Sequence, residues 1–150
     1  SDLAFSMITR PDYPSYGNWI ARGATTLWEV FQPEGSDRIG SLNHHFWGDI
    51  SSWFTQALSG IRMAPHGEPN EVDFRPSFIS RLTHAEAFHI APAGRIASAW
   101  ERDEDDVIEL TVELPSTMHG VIRLESGYVF EDGLAYKAAE SGTYRIHSIE

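Results

Sequence analysis

The apolar residues of this chain change their period once, near Pro65, and that change limits what the chain can fold into. Phe46, Ile50, Trp53, Phe54, Ala57, Leu58 and Ile61 recur three and four residues apart, a stripe with a period near 3.6. This spacing predicts a helix from Asn43 to Gly60. Ser41 or Asn43 can cap its start, and Gly60 stands where helices tend to stop. A second helix is expected from Ser15 to Arg22, with Pro14 just ahead of it and Gly23 ending it. Between the two, Ala24 to Ile39 opens with β-branched Thr25 and Thr26 and loosens around Pro33 and Gly35, which reads as a short extended piece followed by a loop.

Beyond Pro65 the apolar residues alternate in short runs separated by turn-forming residues. The runs are Val72 to Phe74, Ala85 to Ile90, Arg95 to Trp100, Val107 to Leu114, Gly120 to Leu124 and Thr143 to Ile149. Several short strands at this spacing predict an antiparallel sandwich. Asp103-Glu104-Asp105-Asp106 falls between two runs and reads as a solvated hairpin turn; it lacks the glycine and closing glutamate of an EF-hand. The chain is therefore expected to divide into residues 1–64 and 65–150, an α+β organisation. It opens on Ser, and Leu3 to Ile8 already reads like the inside of a helix, so a piece of a longer protein is expected.

Composition narrows the partners. A net charge of −11 disfavours a nucleic-acid backbone, which needs clustered Lys and Arg. No apolar run approaches the roughly 20 residues of a membrane-spanning helix, and no signal-peptide pattern opens the chain. With no cysteine, disulfides and thiolate metal sites are excluded. The compartment stays open.

Chemistry is expected in the first half, which is sparsely charged: residues 1–64 hold four of the eleven basic residues and six of the twenty-two acids. Tyr13, Tyr16, Trp19, Trp28, Phe31, Trp47 and Trp53 are set there among Glu29, Glu34, Asp37, Asn43, His44 and His45. Aromatic faces stack on the C–H faces of a pyranose, while carboxylates and amides select its hydroxyls. The same aromatics also suit a core, and Trp53 on the helical stripe is read that way. Glu29 follows Thr-Thr-Leu-Trp with no charge between Arg22 and itself. Burial among apolar neighbours would tune such a carboxylate as a proton acceptor, although the spacing equally suits a surface glutamate opening a loop. His44 and His45, at a helix start, would point about 100° apart and would not share one site. A zinc site would need a HExxH-type pair, which is absent. In the second half, His84, His89 and Trp100 are read as strand-face packing or surface residues.

Two runs carry a family resemblance. Tyr13-Pro14-Ser15-Tyr16-Gly17-Asn18-Trp19-Ile20, followed by Gly23-Ala24-Thr25-Thr26-Leu27-Trp28-Glu29, is similar to a run found late in glycoside hydrolase family 78, the α-L-rhamnosidases. Ser41-Leu42-Asn43-His44-His45-Phe46-Trp47-Gly48 resembles that family's Ser-Leu-Asn-His-Tyr-x-x-Gly, and Trp53-Phe54 with Leu58-Ser59-Gly60-Ile61 continue it. Phe74-Arg75-Pro76, Gly94 to Trp100 and Ser141-Gly142-Thr143-Tyr144 resemble the family's C-terminal β-domain. The resemblance implies the last helices of an (α/α)6 catalytic barrel over 1–64, a small antiparallel β-sandwich over 65–150, and no cofactor or metal. It implies hydrolysis of terminal α-L-rhamnose with inversion, with Glu29 as general base and His44, Trp28 and Asn43 against the sugar. The family's general acid lies on an upstream Arg-Asp-Glu segment that has no counterpart here. The piece would then carry half of a catalytic pair, would pack against a missing N-terminal part of the same protein, and would be inactive alone. His45 also stands where a tyrosine is common, and the loop between Glu29 and Asn43 is shorter than in several relatives.

Two other readings follow from the same residues. The β-rich half would serve as a non-catalytic accessory or carbohydrate-binding module, or the chain would belong to another helical-barrel glycosidase with a different sugar preference.

Overall fold

A computed structural model describes residues 1–36 and 40–149. The chain forms two compact units, 1–52 and 53–150. Helix α1 spans Asp2–Thr9 and α2 spans Tyr16–Ala21. The expected second helix is thus present, and its start has the expected cause. The Ser15 hydroxyl accepts the Asn18 N–H at 2.8 Å, satisfying one of the donors that a helix N-terminus leaves open. The same hydroxyl donates to the Arg10 carbonyl at 2.6 Å and so ties the turn between the two helices.

The helix predicted from Asn43 to Gly60 is shorter than expected. Helical structure begins only with α3 at Ile50–Trp53 and ends in a π-helical turn at Phe54–Leu58. The preceding N–H groups close turns instead: those of Gly48, Ile50 and Ser51 donate to the carbonyls of His45, Trp47 and Gly48, three residues back and not four. Phe46, counted in the apolar stripe, is 67% exposed, and Trp53 is half-buried, not core. No regular strand forms over the described part of Ala24 to Ile39.

The second unit is a two-sheet sandwich. One sheet has the order β1-β2-β6-β8, with β1 at Ile61–Met63, β2 at Glu71–Phe74, β6 at His119–Arg123 and β8 at Tyr136–Ala138. The other has the order β3-β4-β5-β9-β7, with β3 at His84–Ala91, β4 at Gly94–Arg102, β5 at Ile108–Glu113, β7 at Tyr128–Phe130 and β9 at Gly142–Ser148. The α+β organisation of helices followed by a β-sandwich is as expected, and each of the six runs read from alternation contains a strand. Strands β1, β7 and β8 were not foreseen; at three residues each they are too short to show a period.

Alternation explains the core. On β5, Ile108, Leu110 and Val112 point inward while Glu109, Thr111 and Glu113 stay exposed. They pack with Val72, Phe74, Ile96, Trp100, Ile122, Phe130 and Ile146. The acidic run is a turn, as read: the Asp103 carboxylate accepts the N–H groups of Asp105 and Val107, each at 2.9 Å. Asp106 adopts a positive φ of 62° and pairs with Arg102.

All ladders are antiparallel except β2–β6, which runs parallel with Val72 opposite Gly120. A Cβ at Gly120 would overlap the Val72 carbonyl, a backbone atom that cannot step aside. Gly120→Ala is therefore expected to cost about 3 kcal/mol, read as a lower urea midpoint with an unchanged m-value. A loss below about 1 kcal/mol would show that the two strands can separate freely.

Candidate functional site

The two motifs singled out from sequence lie side by side in the first unit. The Leu27 carbonyl accepts the His44 N–H at 2.8 Å, the Glu29 N–H donates to the Ser41 carbonyl at 2.9 Å, and the Thr26 hydroxyl donates to the Leu42 carbonyl. Residues 26–29 thus run against 41–44, and this pairing brings Glu29 and His44 onto neighbouring stretches of chain.

The Glu29 side chain is half-buried. Its Oε2 accepts the Ser41 N–H at 2.9 Å, which fixes one carboxylate oxygen. Its carbonyl accepts the indole N–H of Trp47 at 3.0 Å. Trp19 and Phe31 stack with ring centres 4.2 Å apart, Trp47 lies 5.1 Å from Phe31, and the Tyr16 hydroxyl donates to the Trp47 carbonyl at 3.2 Å. Trp19 is 2% exposed. Tyr16, Trp19, Phe31 and Trp47 therefore pack as one aromatic cluster, tied to Glu29 through its backbone carbonyl. Trp28 is half-buried, with the Arg22 guanidinium 5.2 Å from its ring centre.

His44 is half-buried and its Nδ1 accepts the Phe46 N–H at 3.1 Å. Among the described residues Nε2 has no partner and remains able to meet a hydroxyl. The rings of His44 and His45 stack nearly parallel at 5.1 Å, not the divergence expected on a helix, because this stretch is a turn. Asn43 is exposed, and its backbone N–H and carbonyl both bond the Ser41 hydroxyl. Glu34 and Tyr13 are exposed, and Asp37 lies outside the described residues. A cavity of about 310 Å³ is lined by Tyr16, Trp19, Ile20 and residues 24–27, and Glu29 is not in its wall. Among the described residues, no group of three His, Cys, Asp or Glu side chains is placed to hold a metal ion.

Sequence reasoning missed Gly40 as part of the site. A Cβ there would lie 2.9 Å from the Val30 Cγ2 and 3.4 Å from the Glu29 carboxylate, so a larger residue would crowd Val30 beside that side chain. The available signal was a glycine directly before Ser41-Leu42-Asn43-His44.

The Tyr16 phenol is held above its usual range, chiefly by burial and further by the Asp49 carboxylate. An ionising phenol with a raised folded value stabilises the fold below the ordinary tyrosine pKa of about 10, and that stability is lost as pH rises through the higher folded value. An ultraviolet titration should contain a late phenol step that Tyr16→Phe removes; a titration curve unchanged above about pH 10 in that variant, apart from amplitude, would contradict this.

Residues 1–58 match the bacterial alpha-L-rhamnosidase 6 hairpin glycosidase domain and residues 70–128 the bacterial alpha-L-rhamnosidase C-terminal domain, and the chain belongs to this family. An alpha-L-rhamnosidase of Alteromonas sp. (strain LOR) is 31% identical over 124 residues, covering 77% of this chain and 13% of the relative. One from Streptomyces avermitilis is 24% identical over 164 residues, covering 97% of this chain and 16% of its own length. The chain therefore spans only a small part of these relatives. The alpha-L-rhamnosidase structure from Dictyoglumus thermophilum superposes with a TM-score of 0.77 at 25% identity, covering 97% of this chain and 18% of that one. The Streptomyces avermitilis enzyme, solved with L-rhamnose, gives a TM-score of 0.77 at 24% identity and shares the fold over 97% of this chain and 16% of its own.

Proposed function

We propose that these 150 residues work within a longer α-L-rhamnosidase that removes terminal α-L-rhamnose from glycosides. Residues 1–64 would belong to its (α/α)6 barrel and residues 65–150 to the sandwich that follows. Glu29 acts as the general base, His44, Trp28 and Asn43 contact the sugar, and the general acid comes from outside this segment. The observation that carries the reading is the anchored Glu29 carboxylate on the stretch paired with His44.

With Oε2 held by the Ser41 N–H, the other oxygen, which has no hydrogen-bond partner among the described residues, can take a proton from water. The water oxygen bonds to the anomeric carbon as the glycosidic C–O bond breaks on the opposite face, and the acid outside this segment protonates the leaving oxygen. Inverting enzymes place the two carboxyl groups about 6.5–9.5 Å apart to admit that water. Once the sugar excludes bulk solvent, the carboxylate also stabilises the positive charge that develops on the ring. Leu3, Met7, Ile20, Leu42 and Phe46 stand exposed in the first unit, an apolar surface suited to cover by the rest of the barrel.

The test is hydrolysis of p-nitrophenyl α-L-rhamnoside by the full-length protein, followed by proton NMR from the first turnovers. The β-anomer of rhamnose should appear first. Early appearance of the α-anomer would sink the inverting assignment, and no release at all would sink the substrate class. The 150-residue chain alone should release no measurable product.

A further inference from the structure

The outer face of the five-stranded sheet carries a feature that the catalytic reading does not use. On β4, Ile96, Ser98 and Trp100 are buried, so Arg95, Ala97, Ala99 and Glu101 point to the other face. Ala97 lies opposite Phe88 of β3 and Glu113 of β5, and Ala99 lies opposite Glu86 and Thr111. Two methyl groups thus form a low floor between taller side chains. The result is a cavity of about 440 Å³ walled by Glu86, Phe88 and Arg95, within the roughly 300–1,000 Å³ usual for small-ligand sites.

Its wall has three chemistries in a fixed order. Arg95 stands at one end, with its guanidinium 5.1 Å from the Phe88 ring centre and ion-paired to Glu113. Phe88, 61% exposed, flanks the middle. Glu86, exposed and without an ion pair among the described residues, stands at the other end. With Arg95 already paired to Glu113, an anionic ligand would find no uncompensated cation in this trough. A neutral ligand with several hydroxyls and an apolar face would meet a donor, an acceptor and a hydrocarbon surface together.

We infer that this trough is a second, non-catalytic site for a neutral glycosyl residue, a 6-deoxyhexose such as L-rhamnose, seated with its methyl on Ala97 and Ala99. The choice of sugar rests on the rhamnosidase reading; the trough itself does not. A sugar site here would hold a polymeric substrate near the catalytic unit and raise its local concentration.

The experiment is a titration of the deuterated, ¹⁵N-labelled full-length protein with methyl α-L-rhamnopyranoside into the tens of millimolar, followed in relaxation-optimised NMR spectra. The Phe88, Ala97 and Ala99 amides should move with a millimolar Kd. Phe88→Ala should weaken binding at least tenfold, and Ala99→Leu, which fills the floor while leaving the aromatic in place, should abolish it. The idea fails if those amides stay still, if they move only with tetralysine, or if Ala99→Leu binds as the parent does. In the full-length protein, Phe88→Ala should leave turnover of p-nitrophenyl α-L-rhamnoside unchanged. Sugar-induced shifts at Ala97 in a protein that hydrolyses no rhamnoside would support the trough and refute the catalytic reading; hydrolysis without those shifts would do the reverse.

Discussion

If Glu29 is the general base proposed above, Glu29→Gln in the full-length protein is expected to lower rhamnoside turnover about 10³-fold, the usual scale for removing such a group. Glutamine has nearly the same shape, and its amide oxygen can still accept the Ser41 N–H. What it cannot do is take a proton from water. The loss therefore belongs to the chemical step, about 4 kcal/mol of transition-state stabilisation, while the KM for p-nitrophenyl α-L-rhamnoside should change less than threefold. Steady-state kinetics on both enzymes would separate the two. A turnover within tenfold of the parent would remove Glu29 from the mechanism, and an unchanged turnover with a much larger KM would make it a binding residue.

Trp100→Ala is the change expected to damage the sandwich most. The indole is fully buried on β4, with Phe78 edge-on at 5.5 Å and its N–H donated to the Leu58 carbonyl at 2.8 Å. Truncation leaves a cavity in the shared core and an unpaired carbonyl beside it, a combined cost of about 4 kcal/mol. Against the roughly 5–15 kcal/mol that typically holds a domain together, that removes between about a quarter and four-fifths of the stability. Trp100→Phe keeps most of the ring contact and loses the hydrogen bond, so about 2 kcal/mol is expected. Urea unfolding of the two variants would check both the total and the split. Equal losses would show that the hydrogen bond, not the packing, is what the indole supplies.

Much of the sandwich was legible because period-two alternation survives wherever one strand face is buried. Ile108, Leu110 and Val112 are the clearest case. The stretch from Asn43 to Gly48 misled for the opposite reason. Its apolar spacing suits a helix, but its backbone closes three-residue turns, as from the Gly48 N–H to the His45 carbonyl, and apolar spacing does not tell the two apart. Glu29 stood out through its motif. Its hold by Ser41, its clearance at Gly40 and its support on Trp47 come from residues 11 to 18 positions further along the chain.

The sequence alone determined which stretches were amphipathic, where α2 starts at its Ser15 cap and which carboxylate to examine, because caps, periods and motifs are properties of neighbouring residues. Only the tertiary structure decided that β2 and β6 run parallel, that Thr26 to Glu29 lies against Ser41 to His44, and that two alanines floor a trough between an aromatic and two charges. Each of these is a pairing between stretches far apart in the chain. Backbone hydrogen bonds settle such pairings when the core closes, and no local pattern records them.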